Sequence, residues 1–132
     1  NYIFDDVRLI RSDSVTESIE EIHRIGDEDV ILAISFPRYS VKTIQTVSFA
    51  KNRKAKIIAI TDGAQSPLAK YADCSIYAGS DMVSFVDSLV APLSVVNALL
   101  AALSMWYKDS VTDTMLSMES IWNTMNEYEH ID

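Results

Sequence analysis

The chain has 132 residues, of which 48% are hydrophobic, and it contains only three Gly and three Pro. This composition is typical of one compact domain and excludes a disordered segment. The net charge of −8 is uneven, because residues 1–72 carry ten basic and ten acidic side chains whereas residues 73–132 carry one basic and nine acidic ones. An acidic domain repels the phosphate backbone of nucleic acid, so we do not expect this chain to bind DNA by itself.

The first predicted elements are a strand and a helix. Aromatic and β-branched residues over Tyr2–Ile10 favour a strand. Ser14 has the position of an N-cap, and Glu17 stands three residues later at the spacing of a capping box. The helix is expected to continue to about Arg24.

Three short apolar runs predict further strands, over Val30–Ile34, Ile57–Ile60 and roughly residues 74–78. The first of them is apolar throughout, as expected of a strand covered on both faces. Ser40 is expected to cap a helix that follows it, and Ser66 to cap a short helix ending at Ala72. Strands that alternate with helices predict an α/β fold with a parallel sheet, in which ligands bind at the carboxyl ends of the strands.

Two long helices are predicted at about 83–107 and 111–129. Residues 89–107 contain no charged side chain, which is long enough for a membrane span. Pro92 and the scarcity of flanking basic residues favour instead a helix that is buried or covered by a second subunit. The lone cysteine, Cys74, falls in the last predicted strand, where a small core residue is expected, and its solitude fits a cytoplasmic protein.

The turn after Val30–Ile34 is the strongest candidate for a ligand site. It contains Ser35, Arg38, Tyr39 and Ser40. The first N–H groups of a helix and its positive end favour anions, and a guanidinium suits phosphate. The alternative is a plain strand-to-helix connection in which Ser40 is an ordinary cap, and the residues alone leave the two interpretations even.

The other turns and the titratable residues give weaker indications. Ser66 and Asp81 follow later strands, where a capping role explains each more readily than a ligand. His23 and His130 lie away from the strand ends, and the sequence shows no metal-ligand spacing and no Gly-rich nucleotide motif. We therefore expect no catalytic residue, no metal and no cofactor.

Taken together, several segments resemble the sugar isomerase (SIS) domain, most closely the version found in RpiR-type transcription regulators. The resemblance covers about residues 5–107. The segments that carry it are Ile34-Ser-Phe-Pro-Arg-Tyr-Ser40, Ala50-Lys51, Ile58-Ala-Ile-Thr-Asp62, Ser66-Pro-Leu-Ala-Lys70, Ala72-Asp73 and Phe85-Val-Asp-Ser-Leu-Val-Ala-Pro-Leu93.

The resemblance implies a flavodoxin-like three-layer sandwich that binds phosphosugars and dimerises. We assign the interface of a homodimer or higher oligomer to helix 83–107. The phosphate loop of the family reads Ser-x-Ser-Gly-x-Thr, so Ser35 and Ser40 match its ends, while Pro37 and Arg38 replace the inner Ser-Gly. Ser66 matches a serine of a second ligand loop. The first βα unit of the family is not seen, so residues 1–132 are expected to be a partial domain, with DNA binding in a separate N-terminal domain.

The resulting hypothesis is a phosphosugar-sensing, dimerising effector domain of a regulator of carbohydrate metabolism, which is not an enzyme. Its expected ligand residues are Ser35, Arg38, Tyr39, Ser40 and Ser66. One alternative is a sugar-phosphate isomerase, for which we can nominate no base. Another is a dimerisation module whose sugar site has decayed. No membrane association is expected.

Overall fold

The computed structural model describes residues 3–4, 6–79 and 88–125; Asp81 and His130 lie outside them. The elements are α1 (Val15–Glu21), β1 (Val30–Ile34), α2 (Val41–Asn52), β2 (Lys56–Thr61), β3 (Cys74–Tyr77), α3 (Val90–Trp106) and α4 (Lys108–Met125). The chain divides into two compact units, Leu9–Val96 and the combination of Asn1–Arg8 with Asn97–Asp132. The sheet and every described candidate ligand residue belong to the first of these units.

The described sheet has three parallel strands in the order β1-β2-β3. Ile34 pairs with Ile60, and Ile60 pairs with Ile76, so the carboxyl ends of the strands lie at one edge. The predicted α/β class and the parallel sheet are confirmed.

The core lies between β2 and α2. Ile57 and Ala59 of β2 are fully buried and pack with Val47 and Ala50 of α2. Leu68, from the connection between β2 and β3, is also fully buried in this cluster. A fully buried Ile or Leu contributes about 1.5–3 kcal/mol of hydrophobic stabilisation, so β2 anchors the unit.

Strand β1 is less covered than its composition predicts. Ala33 is buried and Ile31 packs against the core cluster, whereas Val30, Leu32 and Ile34 are 46–59% exposed. Alternate residues of a strand point to opposite faces. The expectation that both faces of β1 are covered is therefore wrong, and one face of this strand remains open.

Two predicted elements are absent from the described residues. Ile3, Phe4 and Asp6–Ile10 form no strand, and Val7 and Leu9 are more than half exposed. Residues 66–72 form successive turns rather than a helix, closed by three bonds from an N–H to the carbonyl three residues earlier, such as Ala69 N–H to Ser66 O.

Helix α3 starts at Val90, later than the predicted start at residue 83, and residues 80–87 lie outside the described part. Pro92 is its one buried residue, so the described chain does not bury this helix, and its cover by a second subunit stays a prediction. Cys74 is likewise exposed and is not a core residue. Among the described residues no single helix is long and apolar enough to cross a membrane, and only the bent pair α3 and α4 passes that test jointly.

Both ends of α2 are closed by local hydrogen bonds. At its start, Ser40 Oγ accepts from Thr43 N–H at 3.3 Å, which confirms the predicted cap. At its end, Lys54 N–H donates to Lys51 O at 2.9 Å and Ala55 N–H donates to Ala50 O at 3.1 Å. This pair of bonds is a Schellman motif, and Lys54 has the left-handed φ of 71° that the motif requires.

Candidate functional site

The two turns that follow β1 and β2 lie next to each other at the carboxyl edge of the sheet. Ser35 N–H donates to Ile60 O at 3.1 Å, which extends the pairing of the two strands by one residue. The turn after β1 covers residues 35–40 and leads into α2, and the turn after β2 covers residues 62–66. The parallel register thus brings together Ser35, Arg38, Tyr39, Ser40 and Ser66, which all come from these turns.

The hydroxyl groups of the first turn hold the turn itself. Ser35 is buried, and its Oγ accepts from Ser40 N–H at 3.3 Å. Ser40 is exposed, and its Oγ accepts from Thr43 N–H. A serine hydroxyl that accepts in this way keeps its own proton for another acceptor. Ser40 can therefore cap α2 and still donate to a ligand, whereas the buried Ser35 stabilises the turn by accepting from Ser40 N–H.

Arg38 has an unusual backbone conformation in an unfavourable electrostatic position. Its φ is 68°, in the left-handed region, which costs a residue with a Cβ about 1 kcal/mol. The residue is exposed and lies at the positive end of α2, whose first turn contains no acidic residue. Lys42 adds a second cation there and donates to Ser12 O. A cation in the position of Arg38 opposes the helix dipole and suits an anion.

Tyr39 connects the two turns. Its hydroxyl donates to Asp62, with Oδ1 at 2.9 Å and Oδ2 at 3.0 Å, and both residues are half-buried. Partial burial, and then the hydrogen bond to the Asp62 carboxylate, raise the pKa of Tyr39 above its ordinary value. The phenol therefore remains protonated at neutral pH and serves as a donor.

Ser66 lies beneath the second turn. It is fully buried, its Oγ accepts from Leu68 N–H at 3.2 Å, and it lies 2.7 Å from Thr61 Oγ1. Thr61 Oγ1 is also 3.0 Å from Asp62 Oδ1. The hydroxyl of Ser66 thus contacts Thr61, which in turn contacts Asp62. The expected contact of Ser66 with a ligand stays a prediction.

Asp62 is not among the ligand residues expected from the sequence, although the turn that contains it is. Asp62 directly follows β2, a strand whose end lies beside the Ser35 turn, and an acidic residue in that position was the available signal. Across the part of the chain that the structure describes, no group of three His, Cys, Asp or Glu side chains could hold a metal ion. The arrangement can bind an anion beside Arg38 and can accept hydrogen bonds at Asp62.

The chain matches a known protein family. Residues 14–102 match the model of the SIS domain. An HTH-type transcriptional regulator of Caldanaerobacter subterraneus subsp. tengcongensis is 31% identical, in an alignment that covers 72% of this chain and 37% of that protein. An uncharacterized protein of Archaeoglobus fulgidus is 24% identical over 81% of this chain and 58% of its own length. The chain thus spans between a third and three fifths of these curated relatives.

Two solved structures share the fold. The sugar isomerase domain of an RpiR transcription factor from Sphaerobacter thermophilus has a TM-score of 0.74 at 24% identity, with 78% of this chain and 57% of that chain covered. The Vibrio vulnificus NanR protein, solved in complex with ManNAc-6P, has a TM-score of 0.70 at 16% identity, with 86% and 44% covered. At these identities the likeness establishes the fold.

Proposed function

Because the chain belongs to the SIS domain family, we propose that it is the phosphosugar-sensing and dimerising effector domain of a cytoplasmic transcription regulator of carbohydrate metabolism. In this proposal DNA is bound by a separate N-terminal domain, in keeping with the acidic charge of this chain. The HTH-type regulator among its relatives supports a regulatory role. The NanR structure with ManNAc-6P supports a phosphosugar as the class of effector.

The observation that carries the proposal is the conformation of Arg38. A left-handed backbone and a cation at the positive end of α2 both raise the free energy of the folded chain. Residues in this sparsely populated backbone region cluster at ligand sites, where the surrounding structure holds them. A phosphate between Arg38 and the first turn of α2 would be stabilised by the guanidinium, the Ser40 hydroxyl and the helix N–H groups. Tyr39 lies beside this position.

The test is a thermal-shift and titration screen of hexose and N-acetylhexosamine 6-phosphates, ManNAc-6P included. At least one should raise the melting temperature in a concentration-dependent way, because a ligand that binds only the folded state stabilises it. Arg38→Gln keeps the backbone strain and removes the charge. It should weaken binding about tenfold or more, since a charge-assisted contact is lost.

Lys54→Gln is the matched control. Lys54 is also basic, exposed and left-handed, but it lies at the opposite end of α2, about 18 Å away for a helix of this length. The Lys54→Gln variant should bind the same sugar phosphate with the affinity of the wild type. Binding by no member of the panel would contradict phosphosugar sensing. Such a result would favour the decayed-site alternative. Equal binding by both variants would mean that Arg38 does not hold the phosphate, and turnover of a sugar phosphate would favour an isomerase.

The proposed dimer uses α3. Leu93, Leu100, Met105 and Trp106 of this helix are 50–84% exposed. A helix with so many exposed apolar residues is typical of a surface that a subunit covers. A second copy of the chain would remove this apolar area from water. It would be the second subunit that the uncharged sequence of this helix predicts.

Sedimentation velocity at micromolar concentration checks the dimer. The wild type should sediment as a dimer of the 14.8 kDa chain, and Leu100→Asp should shift it toward monomer because a charge would be buried in the interface. Asn97→Asp adds the same charge at an exposed polar position of the same helix and should leave more dimer than Leu100→Asp does. A monomeric wild type would contradict dimerisation by this chain.

A further inference from the structure

The carboxylate of Asp62 has an acceptor surface that the anion site does not use. Tyr39 donates to both of its oxygens, and the Thr61 hydroxyl lies 3.0 Å from Oδ1. A carboxylate has roughly four acceptor positions, and Asp62 is only half-buried. The protein thus supplies two described donors to the Asp62 carboxylate. Its exposed side can accept hydrogen bonds from a ligand.

Buried hydroxyls hold this carboxylate in place. Leu68 N–H donates to Ser66 Oγ, and the Ser66 and Thr61 hydroxyls lie 2.7 Å apart, both fully buried. If the single Thr61 proton points to Asp62, the Ser66 proton completes the chain by pointing to Thr61. The Ser66 hydroxyl then donates to Thr61, and the Thr61 hydroxyl donates to the Asp62 carboxylate. A group fixed in this way loses little freedom when a ligand binds, which favours affinity.

The charges on either side of Tyr39 have opposite signs. Arg38 and the first turn of α2 are positive, while Asp62 is negative and lies within hydrogen-bond distance of the Tyr39 hydroxyl. A ligand that contacts both positions must carry an anionic group at one end and hydrogen-bond donors at the other. Sugar hydroxyls are such donors, and a second phosphate would be repelled by the carboxylate.

We propose that Asp62 accepts hydrogen bonds from neighbouring hydroxyls of the sugar and thereby selects sugar monophosphates over inorganic phosphate and over sugar bisphosphates. This inference rests on the function proposed above and specifies the part of the ligand that lies farther from the phosphate. Tyr39 holds the carboxylate in place, and the acceptor positions that it leaves open receive the sugar hydroxyls. Asp62 is then the residue that distinguishes a sugar monophosphate from inorganic phosphate and from a bisphosphate.

The test compares wild type and Asp62→Asn by NMR chemical-shift titration. The probes are inorganic phosphate, the sugar monophosphate that gives the largest thermal shift, and the bisphosphate of the same sugar. Asp62→Asn should lower affinity for the monophosphate about tenfold or more, because the carboxylate accepts stronger hydrogen bonds than an amide. Affinity for inorganic phosphate should be unchanged or higher, and the preference for monophosphate over bisphosphate should shrink.

The phosphate titration also shows whether the anion site of the variant is intact. Equal losses for the sugar phosphate and for inorganic phosphate would mean that Asp62 only holds the turns, and would overturn the inference. Unchanged affinity for the monophosphate in Asp62→Asn, with normal binding by the wild type, would overturn it while leaving phosphosugar sensing intact. A wild type that binds no sugar phosphate would overturn both.

Discussion

The two ends of α2 carry the same rare feature in different surroundings. Arg38 precedes the helix with a φ of 68°, and Lys54 follows it with a φ of 71°. Both residues are basic and exposed, and each lies in a connection between α2 and a strand. Because the conformation and the charge are shared, the two residues differ in their position relative to the helix dipole and in the hydrogen bonds of the turns that contain them.

At the carboxyl end of α2, the fold itself explains the left-handed residue. The turn at Lys54 satisfies the carbonyls of Lys51 and Ala50 and directs the buried Ala55 into the core. Cations at this end also complement the helix dipole. The strain at Lys54 is thus offset by backbone hydrogen bonds and burial, and no ligand is needed to account for it.

At the amino end, the relation between charge and helix is reversed. The serine hydroxyls that close the turn belong to Ser35 and Ser40, and the charge of Arg38 opposes the dipole. The comparison teaches that one conformation with one charge complements the helix at its carboxyl end and favours an anion at its amino end. Substitutions at Asp73 and at the two left-handed residues test this contrast.

The larger effect is expected at Asp73, which ties the carboxyl end of α2 to the sheet. Its carboxylate accepts from Lys51 Nζ at 2.7 Å and from the N–H of the buried Ile57 at 2.8 Å. Asp73→Ala removes the acceptor of a buried N–H, so the melting temperature should fall by several degrees. Asp27→Ala, which removes an exposed carboxylate in a loop, should have a much smaller effect.

The effect of Asp73→Ala should also depend on pH. The hydrogen bonds from Lys51 and then from the Ile57 N–H hold the pKa of Asp73 below its ordinary value of 3.8. A depressed pKa in the folded state stabilises the protein above that ordinary value, and the contribution is lost as the pH falls below it. The difference in melting temperature between wild type and variant should therefore shrink below about pH 4. A difference that stays constant would contradict a role for the charge.

The local parts of the fold could be predicted from the sequence, and the parts that need a distant partner could not. Val30–Ile34 forms the predicted strand with the predicted bounds, and Ser14 and Ser40 cap the helices as expected. The apolar run and the cap each act through neighbours in sequence. A strand over Tyr2–Ile10 would need a free sheet edge beside it, and its alternating composition carries no information about that edge.

The same distinction holds for the candidate site. The turn from Ser35 to Ser40 was predicted because a buried strand, a cap and a cation stand together in sequence. The bond between Tyr39 and Asp62 joins residues 23 positions apart, so only the parallel register of β1 and β2 reveals it. Ser66 was chosen as a capping or ligand serine, and its burial beneath Thr61 likewise depends on packing that no local pattern encodes.

The smaller effect, and the more direct test of the contrast, is the exchange of each left-handed residue for glycine. Glycine adopts a positive φ without steric cost, so Arg38→Gly and Lys54→Gly should each raise the free energy of unfolding by about 0.5–1 kcal/mol. Chemical denaturation measures this gain. The two variants should differ in function, because Arg38→Gly should lose phosphosugar affinity and Lys54→Gly should keep it. A stabilised Arg38→Gly with undiminished affinity would mean that the guanidinium has no role in binding. A Lys54→Gly variant that loses affinity would mean that the two ends of α2 are not independent, because a change about 18 Å from the anion position should not reach it through a rigid helix.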